Sequence, residues 1–415
     1  TDIEYSITDH SDTWYITTNA DGCEDYKIMC APLENTKRKH WKDYYLPAKG
    51  TLLRGIYMFR NYLVRYERSQ GLPKIIIAPL DTNTEEYAIE FDEEAYELGI
   101  DPGLEFDTTL VRFTYTSMTT PSQVFDFDMQ QRTRELRKEQ EVPSGHNSKD
   151  YVTKRIFACA QDGTSIPISL LYKHDTPIDG SAPLLLNGYG AYGSSMPASF
   201  STSRFSLVNR GYVYAIAHIR GGMELGYAWY TDGKLKNKKN TFTDFIAAGE
   251  YLAENKYTSK GNITAHGGSA GGMLIGAVIN LQPDLFHSAI ADVPFVDVLN
   301  TMCDDSLPLT PPEWPEWGNP ITQTEDYHYI KSYSPYDNVQ AQPYPNLLIT
   351  AGLTDPRVTY WEPAKWAAKL RAQKPDSNVV LLKTNMDAGH AGASGRFDSL
   401  KEVALMYAFV LKLRK

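Results

Sequence analysis

The chain has 415 residues, of which 42% are hydrophobic and 22% charged, with 29 glycines and 24 prolines. That composition excludes a disordered, collagen-like or low-complexity polymer and accommodates two or three domains, each able to bury a core. Its 51 acidic residues against 41 basic ones leave a formal net charge of −10, which argues against nucleic acid or anionic lipid as a partner and favours a cationic substrate. The longest apolar run, Val403 to Leu411, is about half of what a bilayer span requires, so no membrane partner is expected. The start, Thr1-Asp2-Ile3-Glu4, has neither the basic nor the apolar stretch of a signal peptide. Cys23, Cys30, Cys159 and Cys303 are scattered without metal-ligand spacing, and free thiols of a cytoplasmic protein are the plain expectation.

From Tyr5 to about Met129, short β-type runs alternate with turn residues. Examples are Thr13 to Thr18, Tyr26 to Met29, Gly55 to Phe59, Tyr62 to Tyr66, Lys74 to Ile77, Leu110 to Tyr115 and Val124 to Asp128. Ala-Pro-Leu closes two of these groups, at 31–33 and 78–80. A four-strand repeat of about 45–50 residues is how β-propeller blades read, and two to three blades fit into residues 1–140. The charged stretch Gln130 to Glu141 and the segment Pro143 to Ser148 then mark a domain boundary.

Beyond it, in residues 141–415, strands alternate with helices. Pro183 to Asn187 and Tyr212 to Ala217 are continuous apolar runs of the kind buried parallel strands show. There follow a helix over Phe242 to Glu254, a strand over Asn262 to His266, a helix over Gly271 to Leu281 and strands over Ala289 to Ala291 and Asn346 to Thr350. The chain closes with a helix over Glu362 to Ala372, a strand over Val379 to Leu382 and a helix over Ser399 to Leu413. This alternation predicts a doubly wound, mostly parallel α/β sheet.

The sharpest chemical signal is His266-Gly267-Gly268-Ser269-Ala270-Gly271-Gly272. It lies between a strand and a helix, where a G-x-S-x-G bend lifts a serine hydroxyl above the sheet. A serine needs a base held by a third group, and in an α/β-hydrolase the order is serine, acid, histidine. His390, in a loop before the last helix, suits the base better than His287 or His328. Asp355, just past the strand ending at Thr350, suits the acid better than Asp387, which shares a loop with His390. The expected oxyanion donors are the backbone N–H of Ala270 and a group from the loop Asn187 to Gly193, where Tyr189 offers a phenol.

These residues stand within longer motifs: Asn187 to Gly193, His218 to Gly226, Gly267 to Gly272, Val293 to Asp297, Glu316 to Pro320, Tyr333 to Val339 and Tyr360 to Trp366. In this order they resemble the prolyl oligopeptidase family of serine peptidases, most closely its oligopeptidase B branch. The resemblance implies an α/β-hydrolase domain capped by a seven-bladed propeller, and cleavage of short peptides after Arg or Lys through an acyl-enzyme. It carries nucleophile, acid and base onto Ser269, Asp355 and His390 and the oxyanion tyrosine onto Tyr189. It makes Arg357 a binder of substrate main chain or terminal carboxylate, and it implies no metal and no cofactor. It places S1 carboxylates in the loop Pro311 to Trp317, where Glu313 matches the first acidic position. The second is Pro315, and Glu316 is the candidate substitute. Where some relatives carry an acidic pair for a second basic residue, this chain has Pro197 and Ser199, so a weakened dibasic preference is expected.

Fewer blades than seven, and a first residue other than Met, lead to the expectation that the chain is the C-terminal part of a longer protein. Two other readings remain. One is a related peptidase or esterase with a different P1 preference; the other is a propeller interaction protein whose hydrolase domain is catalytically weak.

Overall fold

A computed structural model describes residues 3–81, 83–395 and 397–414; Thr1, Asp2, Thr82, Arg396 and Lys415 lie outside it. The chain forms two compact units. One takes the chain up to Ser148, with Pro197–Phe200 and Met223–Trp229; the other takes Lys149–Met196, Ser201–Gly222 and the chain from Tyr230 onward.

The first unit is built of antiparallel four-stranded meanders. The first comprises β1 (Tyr5–His10), β2 (Thr13–Thr18), β3 (Lys27–Pro32) and β4 (Lys42–Tyr45). The second comprises β5 (Thr51–Phe59), β6 (Tyr62–Ser69), β7 (Leu72–Pro79) and β8 (Tyr87–Ala88). The third comprises β9 (Tyr96–Asp101), β10 (Leu110–Ser117), β11 (Gln123–Asp128) and β12 (Thr133–Glu139). Sheets pack face to face because alternate residues are apolar. In β10, Val111, Phe113 and Tyr115 point into one core with Phe59, Val64, Ile75, Ile77 and Phe127, while Arg112 points outward to Asp126. A second core joins Tyr15 and Ile28 to Leu53, Leu63 and Ala78. The charged stretch read as a boundary marker is in part β12. It pairs with β11 but is exposed along its whole length, and an edge strand of that kind shows no apolar face in sequence.

The second unit carries an eight-stranded sheet of β13 (Tyr151–Cys159), β14 (Ser165–Lys173), β15 (Leu184–Asn187), β16 (Val213–Ala217), β17 (Ile263–Gly268), β18 (Phe286–Asp292), β19 (Asn346–Gly352) and β20 (Val380–Asn385), in the order β13-β14-β16-β15-β17-β18-β19-β20. β13 and β14 run antiparallel, and the strands from β16 to β20 are mutually parallel. This is an α/β-hydrolase domain. Among the described residues the α-helices are α1 (Phe205–Val208), α2 (Tyr227–Thr231), whose first three residues belong to the first unit, α3 (Lys239–Glu254), α4 (Ala270–Leu281), α5 (Val298–Met302), α6 (Thr310–Trp317), α7 (Thr324–Lys331), α8 (Trp361–Gln373) and α9 (Asp398–Lys412). α4 is buried from Ala270 through Ile279, as a helix apolar on all sides must be. Its N-terminus therefore stands fixed at the carboxyl end of β17, the edge where open α/β sheets place their sites.

Candidate active site

Ser269 occupies the single residue between β17 and α4. Its φ is +58°, a region costly for a side chain with a Cβ and therefore held by the surroundings. Its N–H donates to the Asp292 carbonyl at 2.8 Å, and its carbonyl accepts the Phe295 N–H at 3.1 Å. The bend closes because Gly272 has no side chain: a Cβ there would lie 2.4 Å from the Pro294 Cβ.

The acid and base arrive on the loops after β19 and β20, at the same sheet edge and beyond the intervening loop after β18. Asp355 follows β19 and is 7% exposed. Its Oδ1 accepts the N–H groups of Arg357 at 2.8 Å and Val358 at 3.0 Å, and its Oδ2 stands 2.7 Å from His390 Nδ1. Burial alone would raise this carboxyl. The hydrogen bonds from His390, Val358 and Arg357 outweigh burial and hold it below the usual carboxylate range. With Nδ1–H donating to the carboxylate, the other ring nitrogen is free to accept, and His390 Nε2 lies 3.0 Å from Ser269 Oγ. It is Asp355 and not Asp387 that meets the ring. His287 sits in β18 and His328 in α7.

Tyr189 lies in the loop after β15, and its phenol neighbours Ser269; burial raises its pKa above the usual phenol range, and the neighbouring serine opposes the rise. Ala270 is the first residue of α4, so its N–H has no carbonyl one turn behind it and remains available as a donor. Phenol and amide thus flank Ser269.

The segment read as a loop, Pro311 to Trp317, is α6. Pro311 and Pro312 fall in its first turn, where a missing N–H costs nothing. Glu313 is half-buried, and its Oε2 accepts both the Tyr192 hydroxyl and the Trp317 indole N–H, each at 2.7 Å. Glu316 faces the interior, 4% exposed. Its Oε1 accepts the Tyr192 N–H at 2.9 Å and its Oε2 accepts the Tyr230 hydroxyl at 2.5 Å. The two carboxylates therefore differ: Glu313 keeps an oxygen outside these bonds, and Glu316 spends both within the fold. Arg357 is exposed, and no described carboxylate pairs with its guanidinium. Tyr192, Trp317, Tyr230 and Lys238 also build the site. Sequence reasoning missed Tyr192, Tyr230 and Lys238 because their contacts join distant segments, and missed Trp317 because its segment was read as a loop and not as the helix that brings it to Glu313. Among the described residues no group of three or more His, Cys, Asp or Glu is placed to hold a metal, and no helix is long and apolar enough to cross a membrane.

Residues 198–415 match the model of the prolyl oligopeptidase family, and residues 1–140 match that of the prolyl oligopeptidase N-terminal β-propeller domain. The chain is 45% identical over 411 residues to dipeptidyl aminopeptidase BI of Pseudoxanthomonas mexicana, covering 99% of this chain and 56% of that protein. It is 42% identical over 409 residues to protease 2 of Moraxella lacunata, covering 99% of this chain and 58% of that one. The structure of oligopeptidase B from Leishmania major superposes with a TM-score of 0.91 at 41% identity, covering 99% of this chain and 58% of the other. The closed form of oligopeptidase B from Trypanosoma brucei with covalently bound antipain gives 0.91 at 42% identity, covering 99% and 59%. The chain thus spans a little over half the length of these relatives.

Proposed function

The chain belongs to the prolyl oligopeptidase family, and from that premise we propose that it is a serine peptidase cleaving short peptides on the carboxyl side of Arg or Lys. The observation that carries the reading is the unbroken run from Asp355 Oδ2 through the His390 ring to Ser269 Oγ, with steps of 2.7 and 3.0 Å. In this reading Ser269 Oγ attacks the scissile carbonyl carbon while His390 Nε2 takes its proton, and Asp355 stabilises the imidazolium. The oxyanion is received by the Tyr189 phenol and the Ala270 N–H; losing one such donor typically costs about 10²–10³ in turnover. His390 then returns the proton to the leaving amine, and water attacks the acyl-enzyme by the same route.

Glu313 is the P1 acceptor. Both of its fold-internal bonds fall on Oε2, which leaves Oε1 for a guanidinium or ammonium group. Glu316 supports the pocket wall instead of contacting substrate, since it is buried and each of its oxygens already accepts a bond from the fold. Arg357, without a carboxylate partner among the described residues, binds substrate main chain or a terminal carboxylate. We assign residues 1–140 to the propeller part and 141–415 to the catalytic domain, a division supported by the extent of the propeller match. The four unpaired cysteines suit a cytoplasmic setting, and the net charge of −10 suits basic peptides over nucleic acid.

A fluorophosphonate probe tests the nucleophile: Ser269 is labelled, and Ser269→Ala is not. Hydrolysis of arginyl and lysyl amides, with prolyl amides left intact, tests the specificity. Equal rates on all three would reduce the reading to a family peptidase of other preference. A second reading comes from the similarity to a dipeptidyl aminopeptidase. Comparing free dipeptidyl substrates with Nα-blocked ones separates the two, because an endopeptidase does not need a free amine.

A further inference from the structure

Lys238 precedes α3 and is entirely buried, with 0% exposure. A buried ammonium is normally paired with a carboxylate, because the interior solvates it poorly. Here Nζ instead donates to two backbone carbonyls, that of Gly190 and, at 3.2 Å, that of Gly233, and lies 5.2 Å from the centre of the Trp317 ring. The neighbouring charge of Glu316 favours the ammonium form, and no salt bridge to Lys238 is formed among the described residues. That carboxylate is itself held by Tyr192 and Tyr230, and the Tyr230 hydroxyl in turn accepts from Lys234. Burial pushes the Lys238 ammonium down to about 8.

The two groups Lys238 grips belong to different parts of the site. Gly190 follows Tyr189 directly in the loop that presents the oxyanion phenol. The peptide there is tightly confined: φ is +73°, and a Cβ would lie 2.4 Å from the Thr241 Cγ2. Trp317 is the residue whose indole N–H fixes Glu313. Two residues beyond Gly190, Tyr192 donates its N–H to Glu316 and its hydroxyl to Glu313. One cation therefore stands where the oxyanion loop, the S1 helix and the start of α3 converge.

We propose that Lys238 is a positioning residue whose buried charge locks the Tyr189 loop against the S1 wall, so that the oxyanion donor and the P1 carboxylate are held in register. The proposal rests on the serine-peptidase reading but not on its Arg/Lys preference. The ammonium gives the loop carbonyl a charged donor, which is stronger than a neutral one, and leaves a positive field behind the developing oxyanion. The protonated form is thus the working form, and activity falls as pH rises through about 8.

The test is the rate at which a fluorophosphonate labels Ser269, since that adduct puts a phosphoryl oxygen among the oxyanion donors and needs no P1 side chain. Lys238→Met is expected to slow labelling by about 10- to 100-fold, a loss in the range of one oxyanion donor, and to lower kcat on arginyl amides in parallel with KM changed less than about threefold. It is also expected to abolish the fall in rate between pH 7.5 and 9.5 expected of the wild type. Lys238→Gln, which keeps N–H donors without charge, recovers part of the rate but not the pH dependence. Unchanged labelling and an unchanged pH profile in a folded Lys238→Met protein would overturn the proposal. If neither variant folds, a wild-type labelling rate that does not fall above pH 8 overturns it. Failure of the wild type to be labelled at all would instead overturn the peptidase reading.

Discussion

The indole N–H of Trp317 meets the Glu313 carboxylate one helical turn away, at 2.7 Å, and does so on the oxygen that the Tyr192 hydroxyl also uses. Two neutral donors on one oxygen fix the carboxylate plane and aim the other oxygen. Glu313→Gln is therefore expected to lower kcat/KM on arginyl amides by about 10² while changing uncharged esters by less than about threefold, since losing one partner of a buried charge pair costs about 2–5 kcal/mol. Trp317→Phe, which keeps the ring and deletes the N–H, should fall between, at about 3- to 10-fold on arginyl substrates, as the loss of one hydrogen bond allows. Equal losses on charged and uncharged substrates would remove Glu313 from the S1 assignment.

Asp355 divides its oxygens between two tasks, one for the backbone of its own turn and one for His390. In Asp355→Asn the carboxamide oxygen can still receive the Arg357 and Val358 amides, and the NH2 group then faces the ring and forces the opposite tautomer. The loop should survive while kcat falls by about 10⁴, with Tm nearly unchanged at pH 7. A variant that retains a tenth of the activity would show that the ring is oriented by something other than Asp355.

Much of this was legible in one dimension because its signals are local. Tyr212 to Ala217 is continuously apolar since β16 is covered on both faces. The bend at Ser269 announces itself by glycines that the backbone geometry demands. Chain order alone separates Asp355 from Asp387. What stayed hidden is of two kinds. β12 and α6 present patterns that mimic loops, the one through charge along an exposed edge and the other through three prolines. The remaining site residues act across long separations: Tyr192 meets Glu316 at 124 residues and Lys238 meets Gly190 at 48. No periodicity carries such pairings, because they are fixed by tertiary packing.

Arg357 lies two residues beyond Asp355, with its guanidinium exposed and without a described ion-pair partner. Its backbone N–H supports Asp355, but any residue except proline supplies that. Arg357→Ala should therefore leave Tm within about 1 °C, in line with surface substitutions. It should raise KM for peptides of three or more residues by about 10-fold, with a smaller effect on single-residue amides. A large loss of stability would assign the side chain to the fold.

Glu362 contributes a pH-dependent part of stability. The carboxylate, 1% exposed, accepts the N–H groups of Val296 and Asp297 on Oε2 and the Thr301 hydroxyl on Oε1, bracing the start of α5. Burial is the largest influence and raises its pKa to about 7, with the Asp297 charge adding to the rise and the Thr301, Asp297 and Val296 hydrogen bonds opposing it. In the unfolded chain a glutamate titrates near 4.3. Below that value both states are protonated, and the contribution is fully present. Between it and about 7 the unfolded state has released its proton while the folded state keeps it, so stability falls as pH rises. Above 7 the loss is complete, at about 4 kcal/mol. Glu362→Gln removes the titration while its carboxamide can still accept the two amides. Its Tm relative to the wild type should therefore rise by several degrees from pH 4.5 to pH 8. A difference that does not vary across that range would mean that Glu362 is ionised in the fold throughout, with the hydrogen bonds at α5 outweighing its burial.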